Sequence, residues 1–153
     1  MKKDEIANTL EEYAEFLEID GQTGRAHAYR KAANAINRRR FIPPNPAKIN
    51  GIGDSTRSTV IDLDNGNQID ELEQLRETYD WYDAFKDVKY IGPSRAEQIH
   101  QTFNVSSLEK LDLVAANGDL TMISGIGPST ASKIQKSIVE IRDSNSRLNN
   151  STI

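Results

Sequence analysis

The chain has 153 residues, of which 37% are hydrophobic and 27% charged, a balance typical of a soluble globular protein with one ordinary core or two small ones. It has no cysteine, which excludes disulfides and thiolate zinc sites, and its two histidines, His27 and His100, are too far apart to give a metal-ligand spacing. The amino terminus is charged where a signal segment would be apolar, and no apolar run approaches the roughly 20 residues that span a bilayer. We therefore expect an intracellular protein of the cytoplasm, nucleoid or nucleus, without a membrane partner.

The net charge of −4 is the sum of segments that differ in sign. Residues 21–60 carry eight basic side chains against one acid, Asp54, whereas residues 1–20 and 61–90 are both acidic. Attraction to a polyanion depends on where the charges lie more than on their sum. The basic segment includes Arg38–Arg40, a run that is either a solvated helix end or a contact to DNA.

Two amphipathic helices are predicted in the first forty residues. In residues 4–18, apolar side chains recur at intervals of three and four, as on one face of a helix. These side chains are Leu10, Tyr13, Ala14 and Leu17. Gly21 ends this helix, and Thr23 is expected to cap a second one. The apolar face of the second helix is expected to consist of Ala28, Ala32, Ala33 and Ile36. A stiff connector that ends the helical pattern contains Pro43, Pro44 and Pro46.

The rest of the chain repeats one short pattern three times. The copies read INGIGDSTRSTV, KYIGPSRAEQI and ISGIGPSTASKI, and they begin at Ile49, Lys89 and Ile123. Each copy has a glycine, a serine two residues later and an apolar residue seven residues later. The glycines are Gly53, Gly92 and Gly127, the serines Ser55, Ser94 and Ser129, and the apolar residues Val60, Ile99 and Ile134. Repeats of this period indicate one supersecondary unit that is used three times.

The segments between the repeats are also predicted to be helical. A helix that opens near Asn67 or Gln68 has apolar positions at Ile69, Leu72 and Leu75. Ser107 is expected to cap a helix over residues 108–116, and the polar tail from Asp143 is expected to fray. Because no segment alternates apolar and polar residues, the predicted fold class is all-α.

The repeated turn has the features of an anion site. Glycine permits positive φ, and its missing Cβ lets another molecule approach the backbone closely. The residues after each turn begin a helix whose first amides lack partners, and Pro93 and Pro128 suit a first helical turn. Backbone donors at the positive end of a helix can bind a phosphate even in an acidic chain. The alternative, a tight turn that binds nothing, is disfavoured by the threefold recurrence.

The repeats resemble the helix-hairpin-helix motif of DNA repair and replication proteins, which binds the DNA backbone through hairpin amides and does not read bases. The stretch RAHAYRKAANAI (25–36), the proline-rich connector and the first repeat together resemble the amino-terminal lyase domain of family X DNA polymerases. LTMISGIGPSTASK (120–133) resembles a hairpin of the fingers region in the same family. The resemblance implies a lyase-like helical domain with the first hairpin at 1–78, a tandem helix-hairpin-helix domain at 79–142, and a flexible tail at 143–153.

The same resemblance implies a monomer that binds DNA without regard to sequence, at gaps, nicks or strand ends. Replication or repair proteins are the other partners that it implies. The expected DNA contacts in the repeats are Gly51, Gly53, Ser55, Thr56, Gly92, Ser94, Arg95, Gly125, Gly127, Ser129, Thr130 and Lys133. The expected contacts in the lyase-like part are Arg25, Tyr29 and Arg30.

Departures from the family pattern argue against an enzyme. The resemblance does not extend to the polymerase palm and thumb, so we expect no polymerase activity. The family places its Schiff-base lysine at the position of Thr59, and a second, phosphate-binding lysine at that of Ser55. Since a nucleophilic amine is indispensable to that lyase reaction, we expect no catalytic residue. Two alternatives remain open: an abasic-site (5′-deoxyribose phosphate) lyase that uses Lys31 or Lys48, and a protein-interaction module of the replication or repair machinery.

Two further features concern single turns. The family can bind sodium or potassium on hairpin carbonyls, which match Thr121, Ile123 and Ile126, and in the first repeat Ala47, Ile49 and Ile52. No cofactor is expected to be required beyond such a monovalent cation. In the second repeat, Tyr90 stands where the other two have their first glycine. This turn is therefore either a weaker phosphate site or a packing element.

Overall fold

The computed structural model describes residues 3–40 and 49–151, with side chains to Arg147. In these ranges the fold is all-helical and contains no strand, which confirms the predicted class. The α-helices are α1 (Lys3–Ile19), α2 (Thr23–Asn37), α3 (Asp54–Asp64), α4 (Asp70–Thr78), α5 (Pro93–Phe103), α6 (Leu108–Ala116) and α7 (Pro128–Ser151). Two 3-10 helices, at Asp80–Ala84 and Asp119–Met122, precede α5 and α7. The prolines of the connector, Ala47 and Lys48 lie outside the described residues.

The chain divides into two compact units, Met1–Tyr79 and Asp80–Ile153, called unit 1 and unit 2 below. The functional domains expected from the sequence stay a prediction. Within the tail predicted from Asp143, the structure has a helix, because α7 continues as far as Ser151.

Unit 1 is built on the packing of α1 against α2, with α3 and α4 added to this pair. All four apolar positions predicted for α1 are buried, as expected from their helical spacing. The prediction for α2 was wrong at Ala28, which is exposed, because the buried stripe runs through Ala26 and Tyr29 instead. Thr23 is also not the cap: Gln22 holds the N-cap position without a side-chain hydrogen bond, and Thr23 is the first helical residue.

A hydrogen-bonded ion pair connects α4 to α1 and α2. The guanidinium of Arg25 donates to both carboxylate oxygens of Glu71, at 2.8 Å each, and also to the Tyr13 hydroxyl at 2.9 Å. The Tyr13 hydroxyl in turn donates to Glu71 Oε2 at 2.6 Å. The hydrogen bonds from Arg25 and then Tyr13 favour the carboxylate, and they lower the pKa of Glu71 to about 2. Burial, followed by the bond to Glu71, raises the pKa of Tyr13.

Unit 2 contains α5, α6 and α7, with α6 packed on α7 and the first 3-10 helix on α5. Ser107 caps α6 as predicted, since its side chain accepts a hydrogen bond from the Lys110 amide at 3.2 Å. His100 has a structural position: its ring stacks on Trp81 with centroids 4.1 Å apart, and its Nδ1 lies 2.7 Å from the Val105 carbonyl oxygen. His27, by contrast, is exposed on α2.

The Arg25–Glu71 pair predicts a specific acid response. A lowered folded-state pKa gives stability that is present above about pH 4.5 and is lost as the pH falls towards about 2. Glu71→Gln should lower the free energy of unfolding by about 1 kcal/mol at pH 7, a value kept small because both side chains are partly exposed. It should also weaken the loss of stability between pH 5 and pH 2. Urea unfolding at several pH values measures both effects.

Glu77→Gln is the matched control, because Glu77 is exposed on the same helix. If Glu71→Gln and Glu77→Gln give the same stability profile against pH, the ion pair does not stabilise unit 1.

Candidate nucleic-acid interface

The three repeats fold into turns with the same backbone pattern. The first turn is 51–53, the second 90–92 and the third 125–127. The leading residue of each turn is in the left-handed region, with φ of +88° at Gly51, +71° at Tyr90 and +87° at Gly125. The middle residue of each turn is a buried isoleucine: Ile52, Ile91 and Ile126. The closing residue of each turn is an exposed glycine: Gly53, Gly92 and Gly127.

The closing glycines are not explained by the fold itself. Gly53 and Gly92 have φ of −74° and −90°, values that any residue adopts, and Gly127 also lies outside the left-handed region. A Cβ built on any of these three glycines meets no atom within 4 Å. Neither backbone strain nor packing therefore requires glycine here. What glycine keeps open is the outer side of each turn, where an external molecule can approach the backbone.

Each turn leads directly into a helix, as the sequence predicts. α5 begins at Pro93 and α7 at Pro128, and α3 begins at Asp54. No side chain caps α3 or α5. The three repeat serines are exposed near these helix starts: Ser55, Ser94 and Ser129. Amides at a helix start and an open backbone together form an arrangement that can bind an anion such as a phosphate.

A family model described as SAM-like Helix-hairpin-helix tandem matches residues 82–140. This part of the chain is a tandem helix-hairpin-helix domain. The second and third turns are its two hairpins. No curated protein matches the chain. Since the match carries no link to family X polymerases, that finer resemblance stays a prediction.

Within the tandem domain, Arg95 connects the two hairpins. Its Nη1 donates to the Tyr90 carbonyl at 2.8 Å, and its Nη2 donates to the Gly125 carbonyl at 3.1 Å. The sequence predicts Arg95 as a DNA contact, but in the structure two of its donors are engaged by backbone. The guanidinium therefore fixes the spacing of the two turns, a role that depends on residues thirty positions apart in sequence.

Two threonines that the sequence predicts as DNA contacts differ in burial. Thr56 is buried, with 3% of its surface exposed, so its side chain belongs to the core and not to the interface. Thr130, at the matching position of the third repeat, is half-buried.

The carbonyls proposed to bind a cation lie at and just before the third turn, where the Ile123 carbonyl already accepts a hydrogen bond from the Ile126 amide at 3.1 Å. A carbonyl has a second lone pair, so this set remains compatible with a cation.

The predicted contacts of the lyase-like part have partners inside unit 1. Arg25 is paired with Glu71, and Arg30 donates to Glu18 at 3.0 Å. The Tyr29 hydroxyl lies 3.1 Å from Oγ1 of Thr59, the residue at the position of the family's nucleophilic lysine. All three residues lie on α2, but both arginines are already paired with carboxylates of unit 1. A phosphate would compete with those carboxylates for the same donors.

Three lysines gather beside the second hairpin, two of which the sequence did not single out. Lys133 on α7 places its Nζ 5.6 Å from the centre of the Tyr90 ring. Lys89, Lys133 and Lys136 line one cleft beside Tyr90, which has a volume of 310 Å³. The Lys89 amide donates to the Ser137 hydroxyl at 2.9 Å, which joins this turn to α7. The spacing of Lys133 and Lys136, three residues apart on a helix, was the available sequence signal for a shared face.

None of the helices described is both long enough and apolar enough to cross a membrane. In the same ranges, no three carboxylate or imidazole side chains lie close enough together to hold a metal ion.

The Arg95 bridge predicts a measurable loss of stability. Arg95→Met keeps the aliphatic stem and removes the hydrogen bonds to the Tyr90 and Gly125 carbonyls. We expect the free energy of unfolding to fall by about 1 kcal/mol, since the bonds are charge-assisted but accessible to water. Arg147→Met, at an exposed position on α7, is the control in the same denaturation experiment. Equal stability of the two variants would show that the bridge contributes nothing.

Proposed function

We propose that the protein binds DNA through the phosphate backbone, without regard to sequence, and that the hairpin turns supply the main contacts. The observation that carries this proposal is the exposed closing glycine of each turn. These three positions need glycine neither for φ nor for packing, so the remaining reason is close approach by a ligand. The tandem helix-hairpin-helix domain supports DNA as that ligand.

Local charge favours the third turn as the strongest site. The first turn of α7 contains no acid, and Lys133 and Lys136 are exposed farther along the same helix. The first turn of α3 carries an exposed acid, Asp54, whose carboxylate lies 3.1 Å from Arg57 Nη1. A carboxylate at that position repels a phosphate in the first repeat. We infer that unit 2 supplies most of the binding energy.

Gly127→Ala tests this assignment, because the structure predicts an effect on binding and none on folding. A methyl group there meets no protein atom but occupies the path of a phosphate to the helix amides. Losing one hydrogen bond to a charged group costs about 1.5–3 kcal/mol, so affinity for DNA should fall at least tenfold. Fluorescence anisotropy with two duplexes of unrelated sequence, and with nicked and gapped DNA, measures affinity and sequence dependence together.

Gly24→Ala is the matched control, since it also adds a methyl in open space but on α2, which is not part of any of the three turns. Thermal unfolding of both variants shows that the fold is intact. If Gly127→Ala folds normally and binds DNA as tightly as Gly24→Ala, the third turn is only a turn. Strong preference for one duplex sequence would contradict backbone recognition.

We propose further that the protein is not an abasic-site lyase. Thr59 stands at the nucleophile position and contacts Tyr29, and the helix that carries it has no lysine. Lys31 is exposed on α2, so it lacks the desolvated surroundings that activate a lysine nucleophile. Borohydride treatment of the protein with abasic DNA should leave no covalent adduct on a denaturing gel. An adduct that disappears in Lys31→Ala or Lys48→Ala would overturn this proposal.

We also propose a role in DNA repair or replication and a monovalent cation at the third turn. The resemblance of residues 25–36 and of the first repeat to family X polymerases supports a role in DNA repair or replication, with gapped or nicked DNA as the ligand. The carbonyls of Thr121, Ile123 and Ile126 would hold a monovalent cation, which would add positive charge beside a bound phosphate. Neutral carbonyls suit a weakly bound ion of this type.

A further inference from the structure

Tyr90 holds a backbone conformation that suits glycine. In the other two turns the leading position is glycine, with almost the same φ. For a bulky residue, a φ of +71° is an outlier, because Cβ crowds the backbone. Glycine would adopt the same turn without that crowding. The second turn therefore keeps a side chain at the expense of backbone strain, and such outliers concentrate at functional sites.

The Tyr90 ring is exposed and lines a cleft that also contains lysines. The residue has 52% of its surface exposed, although it is large and partly apolar. Lys133 lies on one side of the ring, at 5.6 Å from its centre, a distance typical of a cation–π contact. The charged residues that line the cleft are three lysines and one acid: Lys89, Lys133, Lys136 and Glu140. Its volume of 310 Å³ is at the lower end of the range for small-ligand sites.

An exposed aromatic ring among lysines matches the chemistry of a nucleotide with an unpaired base. Aromatic side chains stack on bases, and every base offers a face for this, while cations beside the ring attract the flanking phosphates. In an intact duplex the base faces are already stacked on their neighbours, so a ring at the protein surface cannot reach them. Away from the duplex ends, it is the unpaired nucleotides of a DNA that offer a free base face to Tyr90.

We propose that Tyr90 stacks on an unpaired base while Lys89, Lys133 and Lys136 bind the adjacent phosphates. The second hairpin would then select DNA with unpaired nucleotides, such as the strand that spans a gap. This inference rests on the proposed function, because it assumes that the turns bind DNA. It adds that the second hairpin recognises a base, whereas the other two turns contact the backbone alone.

The test combines variants of Tyr90 with two gapped DNA molecules of equal charge. In one DNA the gap exposes ordinary nucleotides, and in the other the same positions are abasic analogues that keep the backbone but lack the base. The parent protein should bind the first DNA about 5- to 150-fold more tightly, the range expected for stacking on one base. Tyr90→Gly should bind both gaps with equal affinity, and Tyr90→Phe should keep the preference because the ring remains.

Tyr90→Gly is expected to fold, since glycine suits a φ of +71°, and its melting temperature should equal or exceed that of the parent. Intact duplex DNA in the same assay separates the two proposals. If the parent binds duplex but does not distinguish the two gaps, the stacking inference is wrong and the proposed function stands. If Tyr90→Gly weakens binding to both gaps by the same factor, the preference for the gap with bases remains. Tyr90 then does not act by stacking on a base, and the inference is again wrong. If the parent binds no DNA, both proposals fail.

Discussion

Burial of one isoleucine in each turn is the constraint on which the binding surface depends. Ile52, Ile91 and Ile126 are each at least 93% buried, so the chain must direct these side chains inward. The residues on either side are then forced outward, and the leading residue adopts a left-handed conformation to make the reversal. A helix begins immediately afterwards, so amides without intrahelical partners follow the open glycine directly in the chain. One apolar anchor thereby sets the position of the donors that the proposed function uses.

Several basic side chains of the segment 21–60 have partners within the fold. Arg25 and Arg30 are paired with Glu71 and Glu18, and Arg57 donates to Asp54 and to the Ile52 carbonyl. Backbone amides at the helix starts and exposed basic side chains, among them Lys31, Lys133 and Lys136, are left for an external anion. Binding through amides needs few formal charges, so the net charge of −4 does not oppose it strongly.

The two hairpins of unit 2 are similar in backbone and different in side chains. Arg95 fixes the spacing of their turns through two carbonyls, and the Ser137 hydroxyl joins the second turn to α7. The third hairpin presents glycine at both exposed turn positions, whereas the second presents an aromatic ring at one of them. Two turns with the same backbone conformation, held at a fixed spacing, can in this way offer two different surfaces to a ligand.

The sequence by itself determined the all-α class, the buried face of α1, the Ser107 cap and the threefold turn, because each depends on local spacing or on glycine and proline chemistry. It did not determine that Ala28 is exposed and Thr56 buried, since helical spacing alone does not say which of several small residues meets the core. Only the tertiary structure decided that Arg25, Arg30 and Arg95 take partners within the protein. Glu71, Glu18 and Gly125 lie 46, 12 and 30 residues from the arginines that they bind, and a charged side chain binds such distant groups only once the helices have packed.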